Sequence, residues 1–310
     1  MKRYSIYVML IVILLFSFCA EQQREKKDFS DKTINVVTTT GMISDVVKHV
    51  GAGRVKVTAL MGPGVDPHLY KASEGDVSRM SNADIIFYNG HHLEGKMTEI
   101  FEKMSRRIPT IAVTEGIHDH LLLSPPEFEG AKDPHLWFDV TLWIQVTEDI
   151  RDALINLDPK NMAVYWFNTE DYLEKLTELQ RYVKEKSNKI PLEQKILITA
   201  HDAFNYFGRA YDFIVRGLQG ISTATEAGTA DVQDLATYIV DNEIRAIFIE
   251  TSVPERNIQA LQEAVKSKGY EVVIGGKLFS DAMGNADTEQ GNYIGMVKHN
   301  IDTIVNALSE

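Results

Sequence analysis

Two rhythms of apolar residues run along this chain, and the switches between them lay out its elements. Ile34-Asn35-Val36-Val37 opens a β-rich run that stops at Gly41. Met42, Ile43, Val46, Val47 and Val50 then recur at helical spacing as far as Gly51. Residues 55–61 alternate as a strand and run into Gly62-Pro63-Gly64-Val65-Asp66-Pro67-His68. A short helix is expected over 74–80, a buried strand over 83–88, a helix after the Asn89-Gly90 turn and a short strand over 110–113. After Asp139, an amphipathic pattern through Val140, Leu142, Trp143, Val146, Ile150 and Leu154 marks another helix. Strands alternating with helices imply a parallel sheet covered on both faces, an α/β fold.

Residues 161–189 break that rhythm, with no Gly and no Pro. Met162, Tyr165, Thr169, Tyr172, Leu176, Leu179 and Val183 fall at alternating steps of three and four, one face of a single long helix. At 1.5 Å per residue it spans roughly 40 Å, the size of a domain. Its repeat is too short, and too rich in Tyr, for a dimeric coiled coil, so it reads as a stiff connector packed along two domains. Beyond Pro191 the alternation restarts, with strands expected at 195–199, 213–215, 246–250 and 271–274 and a last helix over 289–308.

The first residues have a different character. Lys2 and Arg3 precede an apolar run that ends at Cys19, the sole cysteine. A basic start and an apolar stretch this short read as a secretory signal over 1–18, not a spanning helix. The polar tract Glu21-Gln22-Gln23-Arg24-Glu25-Lys26-Lys27-Asp28 follows, and 19–31 reads as a flexible tether. Cys19 resembles a lipobox cysteine, lipidated after signal cleavage, although Phe18 is bulkier than the usual small residue before it. One cysteine allows no internal disulfide.

Composition narrows the function. Of the 310 residues, 44% are hydrophobic and 25% charged, ordinary globular values for a chain long enough for two domains. The net charge of −12, with no basic patch, excludes nucleic acid as a natural partner.

Asp66-Pro67-His68 and Asp133-Pro134-His135-Leu136-Trp137-Phe138-Asp139 share one device. Each proline restricts the chain and presents a histidine from a rigid turn. His68, His135, His201 and Asp281 all fall beyond strand ends, where parallel α/β sheets bind their ligands. Three imidazoles and one carboxylate suit a divalent transition metal. Asp133, Asp139 and Asp202 are candidates to orient these rings from behind, and Glu250, at a strand end, is the best candidate for a buried carboxylate.

These segments, together with Thr199-Ala200-His201-Asp202-Ala203-Phe204, Gly220-Ile221-Ser222-Thr223-Ala224-Thr225-Glu226-Ala227-Gly228 and Leu278-Phe279-Ser280-Asp281-Ala282-Met283-Gly284, resemble the zinc/manganese solute-binding lipoproteins of ABC transporters. The likeness runs from about Ile34 to the C-terminus and is nearest to the TroA type, with His at the third ligand position where manganese-dedicated members have Glu. It implies two similar lobes, 32–160 and 190–310, joined by the 161–189 helix, with zinc or manganese held between them by His68, His135, His201 and Asp281. It implies, further, a monomer anchored at Cys19 outside the cytoplasm that delivers metal to an ABC permease, and no enzyme activity. A long His-rich loop, frequent in zinc-dedicated members, is missing; residues 117–132 hold only His118 and His120 with Asp119, Glu127 and Glu129. That pair reads as exposed loop residues, His91 and His92 as neighbours of the cleft, and His49 and His299 as helix-surface residues. Competing readings are a metallohydrolase, which needs an open coordination position and a base, and a surface adhesin with an incidental metal.

Overall fold

The computed structural model describes residues 27–125 and 130–309. The first lobe contains β1 (Ile34–Thr38), α1 (Gly41–Gly51), β2 (Val55–Ala59), α2 (Glu74–Ser81), β3 (Ile85–Tyr88), α3 (Thr98–Ser105), β4 (Thr110–Ala112) and α4 (Val140–Leu157). Its strands form one parallel sheet in the order β2-β1-β3-β4. The register aligns Thr38 with Ala59 and Phe87, and Tyr88 with Ala112. All four carboxyl ends therefore share one edge, and the loops bearing His68 and His135 leave from it.

After α5 (Met162–Ser187), the second lobe contains β5 (Ile196–His201), α6 (Asn205–Tyr211), β6 (Ile214–Gln219), α7 (Thr229–Asp241), β7 (Ala246–Glu250), α8 (Arg256–Ser267), β8 (Val273–Leu278) and α9 (Tyr293–Ser309). β5 pairs in parallel with β6, and β7 with β8. This is the two-lobed α/β fold expected.

Two strands run further than the expected 213–215 and 271–274. β6 continues through Gly217, where an added Cβ would lie 2.4 Å from the backbone nitrogen of Asp202. β8 continues through Gly275 and Gly276; side chains there would strike Ala307 and Thr303 of α9 at 2.6 and 2.5 Å. These glycines mark close approach of backbone to a neighbour, not chain reversal.

The long helix has 26 residues, about 39 Å at 1.5 Å each. It buries Tyr165, Thr169, Tyr172, Leu176, Leu179 and Val183, the face expected, while Met162 at its first position is 48% exposed. The Tyr172 hydroxyl donates to Asp45 of α1 at 2.9 Å, and the Tyr182 hydroxyl to Asp302 of α9 at 2.8 Å. Asp45 also accepts the backbone N–H of Tyr293, at the start of α9. One core joins Val47 and Trp143 of the first lobe, Tyr172 and Leu176 of α5, and Tyr211, Met296 and Ile304 of the second. The connector is thus embedded in both lobes, and without an internal Gly or Pro it has no hinge.

Of the stretch read as a tether, residues 27–31 pack on the base of the first lobe. Phe29 is buried, Lys27 pairs with Asp84 at 2.9 Å, and Lys160 with Asp28 at 2.7 Å. The signal reading and Cys19 lie outside the described residues. Among the described residues no helix is long and apolar enough to cross a membrane.

Candidate metal centre

The two Asp-Pro-His turns use their aspartates alike. Asp66 accepts the backbone N–H of His68 at 2.8 Å, and Asp133 that of His135 at 2.9 Å. Each carboxylate closes a local turn that fixes where the histidine departs. Asp133 goes further: the same oxygen lies 2.8 Å from His135 Nδ1. In the second lobe His201 is the last residue of β5, and Glu250 the last of neighbouring β7. One Glu250 oxygen accepts the His201 backbone N–H at 2.8 Å; the other faces His201 Nδ1 at 2.5 Å. Asp281 follows β8 by three residues and is touched by the Ser252 hydroxyl at 3.3 Å.

With Nδ1 held from behind, the Nε2 atoms of His135 and His201 turn inward. His135 Nε2 lies 3.3 Å from His68 Nε2 and 3.5 Å from Asp281; His201 Nε2 lies 3.3 Å from Asp281. One donor atom from each of the four residues falls within 4.8 Å of all the others. A tetrahedral ion with bonds of about 2.0–2.1 Å needs ligand atoms about 3.3 Å apart. The side chains are 5%, 0%, 0% and 2% exposed in chain order, and His201 Nε2 and Asp281 Oδ1 are buried without a hydrogen-bond partner. Orphaned inward-facing donors at this spacing fit a small divalent cation and little else.

Electrostatics separates the three rings. Burial opposes charge on His135, but Asp133 and Asp281 outweigh it and hold its pKa up at about 9. Burial likewise opposes charge on His201, and Glu250 and Asp281 raise it well above the ordinary histidine value. His68 has no carboxylate hydrogen-bonded to its ring, and burial pushes it down to about 3. Burial also works against ionised Asp281, yet His201 and His135 keep its pKa well below the usual carboxylate range.

The other candidates divide. Asp133 and Glu250 meet ligand rings; Asp139 instead caps α4 at Thr141 and pairs with Arg209. Asp202 contacts none of the rings by hydrogen bond, and burial raises its pKa to about 6. His91 and His92 sit at left-handed φ values of 47° and 61°. They line a separate hollow of about 570 Å³ with Phe101, Thr114 and Lys132, away from the four residues. His118 and His120 are exposed and stack on each other, while Asp119 pairs with Lys132; Glu127 and Glu129 lie outside the described residues. His49 stacks on Tyr172, and His299 packs against Phe279.

Glu94 escaped the sequence reading. It is buried and accepts from the Thr39 hydroxyl at 2.6 Å and the Asn89 N–H at 2.7 Å; the Asn89 amide then donates to the Pro134 carbonyl, just before His135. A glutamate in a loop of ordinary composition gives no signal of such a role. Glu250→Gln, which keeps shape but removes the charge behind His201, is expected to weaken zinc binding about 10- to 100-fold. Competition with a chromophoric chelator measures it.

Two α/β lobes that bring three buried histidines and a buried aspartate to one point define a solute-binding protein built for an ion. The chain belongs to the family described as zinc-uptake complex component A, periplasmic, whose profile matches residues 36–307. It is 50% identical over 276 residues to zinc-binding protein TroA of Treponema pallidum (strain Nichols), covering 88% of each chain. It is 44% identical over 280 residues to manganese-binding lipoprotein MntA of Bacillus subtilis (strain 168), covering 90% of this chain and 91% of that one. Among solved structures, the periplasmic zinc-binding protein TroA from Treponema pallidum superimposes with a TM-score of 0.87 at 50% identity, over 89% of this chain and 99% of that one.

Proposed function

We propose that this protein binds zinc or manganese outside the cytoplasm and delivers the ion to an ABC permease for import. The observation that carries the reading is the convergence of four buried donor atoms, two from each lobe, within 4.8 Å. His68, His135, His201 and Asp281 are the proposed ligands, and Asp133 and Glu250 orient two of them. The reading is one of carriage, not turnover. Four ligands at most 5% exposed leave no room for a substrate beside the ion, and the two carboxylates hydrogen-bonded to ligand rings, Asp133 and Glu250, are engaged by His135 and His201. A relative described as zinc-binding and another described as a manganese-binding lipoprotein support the cargo, and the second supports an anchored location. We assign Cys19 as the lipid-bearing residue, 32–160 and 190–310 as the two lobes around the 161–189 connector, and the monomer as the working form.

Zinc is expected to bind more tightly than manganese, because an N- and O-donor site follows the Irving–Williams order; supply then decides which ion is carried. Metal analysis of protein purified without chelator, followed by competition titration of the two ions, is the test. About one equivalent of either ion with zinc the tighter is the expected result. A chain that binds neither ion more tightly than about 1 μM, or one that prefers manganese, would contradict the assigned ligand set.

A further inference from the structure

The two flanks of the cleft are fastened very differently. On the His135 flank, Trp137 donates to the Ser280 carbonyl at 3.0 Å and accepts from the Tyr293 hydroxyl at 2.7 Å through its own carbonyl. Asp133 takes hydrogen bonds from Asn205 and Tyr206, each at 3.1 Å, and Phe138 stacks on Phe204 with ring centroids 4.2 Å apart. Each of these contacts joins the first lobe to the second.

The His68 flank has far less. His68 rides on the loop after β2, whose Gly62, Pro63 and Gly64 are exposed. The side-chain hydrogen bond that ties this loop to the second lobe runs from the Thr223 hydroxyl to Asp66 at 2.6 Å. The other oxygen of Asp66 holds the backbone N–H of His68, so one carboxylate couples the clasp to the ligand. Thr223 lies in the 220–228 segment, where only Ile221 and Thr223 are buried. That segment contributes none of the four ligands, so ion binding alone does not account for it.

We infer that Thr223 is a positioning residue for metal exchange: its hydroxyl clasps Asp66 across the cleft, and the ion enters and leaves where that clasp opens, on the His68 side. Two further features agree. His68 is the most exposed of the four, and its ring has no carboxylate behind it, so it is the ligand that can leave without stranding a buried partner. The His135 flank stays closed throughout. The inference rests on the reading of the four residues as metal ligands.

The test compares the full chain with Thr223→Val, which keeps the shape but removes the donor, and Thr223→Ser, which keeps the donor. Zinc dissociation is followed by stopped flow against excess chelator. Loss of a hydrogen bond to a charged acceptor is expected to speed release about tenfold or more in Thr223→Val, with Thr223→Ser close to the unmodified rate. Equal rates in all three, or equal acceleration in both variants, would overturn the clasp. A second readout needs no metal. Amide hydrogen exchange across 62–69 should quicken in Thr223→Val while exchange across 133–139 is unchanged; unaltered exchange at 62–69 overturns the proposal by itself. Failure of the unmodified chain to bind zinc would instead reject the ligand assignment and leave this second result to decide the clasp.

Discussion

His135→Ala is expected to weaken zinc binding by about 100- to 1,000-fold. Closed four-ligand zinc sites gain roughly 10–16 kcal/mol in all, so one ligand of four carries about 2.5–4 kcal/mol. The unloaded protein should suffer too. His135 lies between Asp133 at 2.8 Å and Asp281 at 3.5 Å. Its removal leaves two buried carboxylates facing a cavity with one fewer imidazolium to balance them. His68→Ala should cost similar affinity yet spare the unloaded fold, because that ring is buried uncharged and no carboxylate hydrogen-bonds to it. His118→Ala and His120→Ala, on an exposed loop, should leave affinity within about twofold. Isothermal titration with zinc, and thermal melts of the metal-free variants at pH 7, separate these outcomes. Tight binding retained by His135→Ala would remove it from the ligand set.

How legible each part was depended on whether its cause is local or distant. The paired Asp-Pro-His turns announce themselves, because proline restricts its own residue and the one before it, and their aspartates then close each turn within two residues. The long helix was legible because a buried face at steps of three and four recurs without Gly or Pro, and its buried residues from Tyr165 to Val183 are those expected. His201 and Asp281 could be grouped with the first lobe's histidines by their common place beyond strand ends, and the resemblance implied the same four. Pairings made across long stretches of chain could not be read, even where one partner, Glu250, stood out as a candidate buried carboxylate. Glu250 meets His201 across 49 residues of chain, and Thr223 meets Asp66 across 157. The strands expected to end at Val215 and Ile274 continue through Gly217 and through Gly275-Gly276. A glycine that ends a strand and one that admits a neighbouring backbone look alike until the neighbour is known.

Zinc binding at pH 7 is expected to release about two protons, and affinity should go on rising with pH to about 9. The sequence alone sets the loss of affinity below about pH 6, from the ordinary imidazole pKa of about 6.5. The folded site moves that window upward. His135, held up at about 9, and His201, raised well above the ordinary value, both carry a proton in the empty centre at pH 7, while His68, at about 3, carries none. Metal needs the neutral rings, so each bound ion displaces both protons. Two single charges leave as one double charge arrives, and the charge buried in the cleft does not change. Loading therefore avoids the cost of adding net charge to a closed cavity. For the unloaded chain the sign is opposite. A histidine whose pKa is raised on folding stabilises the fold fully below about 6.5 and loses that contribution as pH rises through about 9. The metal-free melting temperature should decline over that interval while the shift produced by zinc widens. Calorimetry in two buffers of different ionisation enthalpy counts the protons, and paired melts at pH 6.5 and 9 follow the stability. Proton release near zero at pH 7, or affinity flat between pH 6 and 8, would mean that the rings held by Asp133 and Glu250 are neutral before the ion arrives.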